Sequence, residues 1–73
     1  MASEARIEMP NGDTLRVASQ RRYIVASYYG DRWTIQFRSD DEGNALARWR
    51  SECRRYPAYP CHVVDRTERT VIR

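Results

Sequence analysis

The sequence predicts an α+β fold, one antiparallel sheet of four to six strands with a single helix packed on one face. Three observations predict it. Residues Arg22 to Tyr29 and Arg32 to Arg38, on either side of Gly30-Asp31, are rich in β-branched and aromatic side chains, the composition of a β-hairpin. Ala45, Leu46, Trp49, Cys53 and Tyr56 recur at helical spacing just after a run of acidic residues. Breaks at Pro10-Asn11-Gly12, Gly30-Asp31 and Tyr56-Pro57-Ala58-Tyr59-Pro60 separate the periodic stretches. They divide a single 73-residue domain into a hairpin at 5–17, a hairpin at 22–38, a helix at 39–56 and a terminal strand or hairpin at 61–72.

The first hairpin is registered by its apolar residues. A two-residue Asn11-Gly12 loop would set Ile7 against Arg16 and mix the faces, which a period-two sheet penalises. A three-residue loop, Pro10-Asn11-Gly12, sets Ile7 against Leu15 and Ala5 against Val17. Gly12 then takes the left-handed position that follows a type I turn.

In the second hairpin, Gly30-Asp31 fits a two-residue type II′ turn with glycine first. The register pairs Tyr28 with Trp33, Ala26 with Ile35 and Ile24 with Phe37, all on one face. The other face carries Tyr23, Val25, Ser27, Tyr29, Arg32, Thr34, Gln36 and Arg38.

Ser39-Asp40-Asp41-Glu42 reads as a capping box, Ser39 capping and Glu42 reaching back, with its carboxylates at the positive end of the helix dipole. Pro57 stops the helix. The apolar helix stripe is expected on Ile24, Ile35 and Phe37, with Arg48, Ser51, Arg54 and Arg55 turned outward. Gly43 in the first turn has no explanation in the sequence, since glycine there costs about 1 kcal/mol against alanine. Cys61-His62-Val63-Val64 returns along the sheet, and Thr70-Val71-Ile72 adds a short last strand.

The Tyr-rich strand, Trp33-Thr34-Ile35-Gln36-Phe37, Ser39-Asp40-Asp41-Glu42, Trp49 and Val63-Val64-Asp65-Arg66 together resemble small β-β-α-β(-β) proteins of phage genomes. The resemblance spans Tyr23 to Arg73 and implies a small accessory protein. A second resemblance, carried by the strands, the helix and Arg32 and Arg38, is to the arm-type DNA-binding domain of tyrosine recombinases. The strand after the helix departs from that pattern.

Composition narrows the function classes. A chain this short supplies roughly 3–5 kcal/mol from its core, which leaves little structure for a supported catalytic site. No run of about 18 apolar residues is present, so no membrane partner is expected, and the N-terminal residues lack a signal-like apolar stretch. A cytoplasmic location is the expectation, with Cys53 and Cys61 as free thiols unless the helix end meets the next strand. All 13 basic residues are arginine, and a formal charge of +3 exerts only a weak long-range pull on nucleic acid.

Catalytic constellations are missing. Cys61 and His62 are strand neighbours pointing to opposite faces and so cannot form a nucleophile–base pair. Two cysteines and one histidine lack zinc-site spacing, and capping accounts for Asp40, Asp41 and Glu42 without a cation. No catalytic residue, metal or cofactor is expected.

The informative feature is the polar sheet face bearing Tyr23, Tyr29, Arg32 and Arg38, with Arg48, Arg54 and Arg55 on the helix. Tyrosine and arginine are enriched at protein-interface hot spots, which makes a non-enzymatic protein-binding module the first expectation. Its partner would be a host protein or a second copy, met through that face or through a strand edge. The same residues would let rings stack on unpaired bases while arginines hold phosphate, so a nucleic-acid-binding domain is the alternative. A competing reading lays Ile7, Met9, Leu15 and Val17 over that face, which would then be core.

Overall fold

The computed structural model describes residues 4–18 and 20–73. The fold is α+β, with strands β1 (Ala5–Glu8), β2 (Thr14–Val17), β3 (Tyr23–Tyr29) and β4 (Arg32–Ser39), helix α1 (Glu42–Arg55), and strands β5 (Cys61–Asp65) and β6 (Thr70–Val71). The six strands form two antiparallel sheets. β1 and β2 make one, and the other runs β4-β3-β5-β6.

The first hairpin has the expected register, Ile7 opposite Leu15 and Ala5 opposite Val17. Its loop closes through Gly12 N–H donating to the Met9 carbonyl at 2.9 Å, with Gly12 at φ +92°. Ala5, Ile7, Met9, Leu15 and Val17 are buried while their neighbours are exposed, so the hairpin is apolar on one side only.

That side lies over the face of the large sheet expected to receive the helix. Ile7, Met9, Leu15 and Val17 pack with Ile24, Ala26 and Val64, bordered by Trp33, Ile35 and Val71. The helix takes the opposite face, where Ala45 packs with Tyr23, Val25, Cys61 and Val63, bordered by Phe37, Leu46, Trp49, Cys53 and Ile72. The result is hairpin, sheet and helix in three layers. β3 is buried on both sides, which is why Ile24, Val25 and Ala26 in succession are fully inaccessible. Tyr23, Val25 and Val63 supply an apolar surface as good as the one on the other side, so two covers are needed.

A β-bulge corrects the expected hairpin register. Tyr28 pairs with Trp33 and Ala26 with Ile35, but Val25 then pairs with Phe37 and Ile24 with Arg38. Gln36 is the extra residue. It turns Phe37 to the helix side and Arg38 to the hairpin side. The turn is also corrected. Gly30 and Asp31 have φ of +61° and +66°, and two left-handed central residues make a type I′ turn, whose twist matches the strands.

The helix N-cap is Asp41 rather than Ser39, its side chain accepting from Asn44 N–H at 3.2 Å. Ser39 Oγ accepts from Asp41 N–H one step earlier, and Asp40 bonds Arg21 and the Arg22 N–H instead. Gly43 now has a reason, because a Cβ there would stand 3.1 Å from the capping oxygen of Asp41. Trp49 Nε1 donates to the Cys61 carbonyl at 2.8 Å and fixes the helix along β5. No described helix is long and apolar enough to cross a membrane.

Candidate functional site

Among the seven residues predicted to bind, three converge. Tyr29, Arg48 and Arg55 line one cavity of about 390 Å³, together with Ser27, Gln36, Glu52, Tyr56, Tyr59 and Cys61. It lies where the C-terminal half of α1 leaves the end of β3 and β4, at the opposite end of the sheet from Tyr23.

The helix contributes Arg48, Glu52 and Arg55, spaced four and three residues apart and so on one stripe. Glu52 is 8% exposed, and Arg48 Nε donates to its Oε1 at 2.9 Å. The guanidinium of Arg48 also lies 5.5 Å from the centre of the Phe37 ring, a contact that exists because the bulge turned Phe37 to this side. Beneath it, Gln36 Nε2 donates to Ser27 Oγ at 2.9 Å across the two strands. Arg55 is exposed and makes no ion pair or hydrogen bond among the described residues.

The tyrosines come from three different elements. Tyr29 ends β3, Tyr56 caps the helix C-terminus, and Tyr59 closes a turn in which its N–H donates to the Tyr56 carbonyl at 3.1 Å. Pro57 fixes that turn, and the Pro60 carbonyl accepts from Tyr28 N–H at 2.9 Å, anchoring the segment to β3. The rings of Tyr29 and Tyr59 are 5.7 Å apart and those of Tyr56 and Tyr59 6.4 Å, tilted at 48° and 46°. Their exposures are 46%, 48% and 48%, which makes them the exposed large hydrophobic side chains among the described residues. Half-exposed rings held against one another are a surface made in advance, with little side-chain entropy left to lose on contact.

The other predicted residues lie elsewhere. Tyr23 is buried under the helix beside Glu42, and burial pushes its hydroxyl above the ordinary tyrosine range, with Arg22 pulling the other way. The expected Tyr/Arg sheet face is therefore covered by the helix at its Tyr23 end and open at Tyr29 and Arg32. Arg32 shares a face with Tyr29, across from it at the turn, whereas Arg38 shares one with Ile24 on the reverse side. Arg54 is exposed beside Arg55 in the last helical turn but does not line the cavity.

Sequence reasoning missed Glu52, Tyr56 and Tyr59 as site residues. Tyr56 was expected in the helix core stripe and is instead exposed at the cap. The available signal was Tyr-Pro-Ala-Tyr-Pro itself, where two prolines hold two aromatic residues in a fixed turn.

The thiols of Cys53 and Cys61 are free. Burial first, then neighbouring Cys53 and Glu52, pushes the Cys61 thiol up to about 12, the reverse of what a nucleophile needs. Among the described residues no cluster of histidine, cysteine and carboxylate side chains has the arrangement of a metal site. Comparison with protein-family models, with curated proteins and with solved structures finds no match to this chain.

Proposed function

We propose that this chain is a non-enzymatic protein-binding module, of the kind of a phage accessory or inhibitor protein, and that it meets its partner through the groove framed by Tyr29, Tyr56 and Tyr59. One observation carries the reading: three half-exposed tyrosines from three elements meet ring against ring over a cavity that holds two arginines. Large rigid aromatic side chains beside arginine are what energetic centres of protein interfaces are made of. The prolines at 57 and 60 and the hydrogen bonds of the Tyr56–Tyr59 turn hold the rings before any partner arrives.

The nucleic-acid alternative rests on a platform of sheet tyrosines and arginines along β3 and β4 together with the helix arginines. The bulge at Gln36 puts Arg32 and Arg38 on opposite faces, and Tyr23 is under the helix, which leaves that reading less support. A strand edge is also less favoured, since the bulge interrupts β4, the long outer strand.

The test is capture from nuclease-treated host lysate by the tagged wild-type chain and by a Tyr56→Ala, Tyr59→Ala variant. A protein held at near-stoichiometric yield by the first and lost by the second supports the reading. Capture that survives both substitutions, or of nucleic acid alone that is released by raised salt, overturns it.

A further inference from the structure

The partner segment that this groove takes has a definite charge. We infer that it is an acidic peptide, with one of its carboxylates held by Arg55 and the outer edge of Arg48 while a neighbouring apolar or aromatic side chain lies on the tyrosines. The inference rests on the binding role proposed above for the same groove.

Charge complementarity carries it. Three charged side chains line the cavity, Arg48, Glu52 and Arg55. Glu52 is buried and bonded to Arg48 Nε, so its charge is matched from within. Arg55 is left with no partner among the described residues, and the terminal nitrogens of Arg48 make no hydrogen bond there. The groove therefore has a positive excess at its helix wall, with guanidinium N–H groups facing solvent. Those groups are suited to a carboxylate, which guanidinium binds in a two-pronged fashion.

A cage of tyrosines above a carboxylate is also the arrangement that holds quaternary ammonium groups. Here the carboxylate is already matched and Arg55 would repel an incoming cation, so the sign favours an anion. The hydroxyls of Tyr29, Tyr56 and Tyr59 make no hydrogen bonds among the described residues and add donors on the same rim. The ring faces give the acidic residue's neighbour an apolar seat, which a free inorganic anion would not use.

The test is selection of a random displayed peptide library on the full chain, followed by calorimetry of the enriched peptides with wild type, Arg55→Gln, Arg55→Glu and Tyr59→Ala. Arg55 is exposed and unpaired, so its variants fold, which near-ultraviolet circular dichroism of the tryptophans verifies. The expected result is peptides rich in Asp and Glu beside an aromatic or aliphatic residue. Their affinity falls about tenfold or more in Arg55→Glu, the loss of one charge-assisted contact, and less in Arg55→Gln. Peptides without acidic residues that lose affinity in Tyr59→Ala but not in Arg55→Glu would overturn the acidic partner and leave the groove standing. Absence of any enriched peptide sensitive to Tyr59→Ala would overturn both.

Discussion

Trp49 Nε1 donates a 2.8 Å hydrogen bond to the carbonyl of Cys61, tying the middle of the helix to the first residue of β5. This bond sets how far the C-terminal half of α1 stands from the sheet, and the groove is the space left beyond it. Trp49→Ala removes both the indole's packing and the bond, at a cost of roughly 3–5 kcal/mol, enough to unfold a domain of this size. Trp49→Phe keeps most of the packing and costs less, about 1 kcal/mol for the lost hydrogen bond plus what the smaller ring leaves unfilled. Urea unfolding of wild type and the two variants measures each loss, and a Trp49→Phe variant as stable as wild type would contradict the role of the bond.

The hairpin layer is equally testable. Ile7 of β1 is fully buried, in the core cluster that the hairpin shares with Ile24 and Ala26 of β3 and Val64 of β5. Ile7→Ala should cost about 2–5 kcal/mol, as for other fully buried aliphatic residues. Ile7→Ala with unchanged urea midpoint would place the first hairpin away from the sheet.

The turn at Gly30-Asp31 should respond in opposite directions at its two positions. Gly30 has φ +61° with open space around a Cβ, so Gly30→Ala incurs a backbone cost alone, about 1 kcal/mol. Asp31 already bears that cost at φ +66°, and Asp31→Gly should gain roughly 0.5 kcal/mol after the glycine's greater unfolded-state freedom is subtracted. Thermal midpoints of the two variants on either side of wild type are the expected outcome.

Most of the fold was legible because local pattern and turn chemistry agreed. The three-residue first loop, the Tyr28–Trp33 and Ala26–Ile35 pairs and the helix stripe through Ala45, Leu46, Trp49 and Cys53 all follow from periodicity. Which cover goes on which face did not follow, since Ile24 and Val25 are adjacent, both apolar and both buried. The bulge was illegible for a related reason. Gln36 is an ordinary strand residue, and the shifted register that places Phe37 beneath Arg48 on the helix side is a tertiary arrangement without a local signal. Of the groove's lining, Tyr29, Arg48 and Arg55 are residues that their type alone singles out. Tyr56 and Tyr59 are not, because prolines mark them as loop and the meeting of three rings is a tertiary event.

Acid stability should centre on Asp65. Arg22 donates to both its oxygens, Nε at 3.1 and 3.2 Å and Nη2 at 3.0 Å, while Thr67 and Glu68 N–H donate to Oδ1. The Arg22 hydrogen bonds, opposed by burial, hold the carboxyl below its ordinary range. The folded chain thus binds this proton more weakly than the unfolded chain. The stabilisation is complete above the unfolded carboxyl's pKa of about 3.9 and is lost as pH falls through the lower native value. Asp65→Asn should therefore be less stable at neutral pH and show a shallower loss of stability on acidification. An unchanged acid profile would assign that loss to other groups, such as Asp40, whose carboxyl Arg21 also lowers.

Thiol chemistry distinguishes the two cysteines. Cys61 is 8% exposed with its thiol pushed up to about 12, so it presents almost no thiolate at neutral pH. Iodoacetamide on the folded chain should modify Cys53 first and Cys61 only on unfolding, as peptide mass mapping would record. Rapid labelling of Cys61 in the native state would contradict its packing against the helix.

The claim that the tyrosine-framed groove is the contact surface is tested most directly by a photocrosslinking amino acid placed at position 59, compared with position 16. Tyr59 is on the groove and Arg16 is exposed on the far side of the first hairpin. Irradiation in host lysate should give one dominant protein adduct from position 59 and none from position 16. Adducts from position 16 alone, or nucleic-acid adducts at position 59, would contradict it.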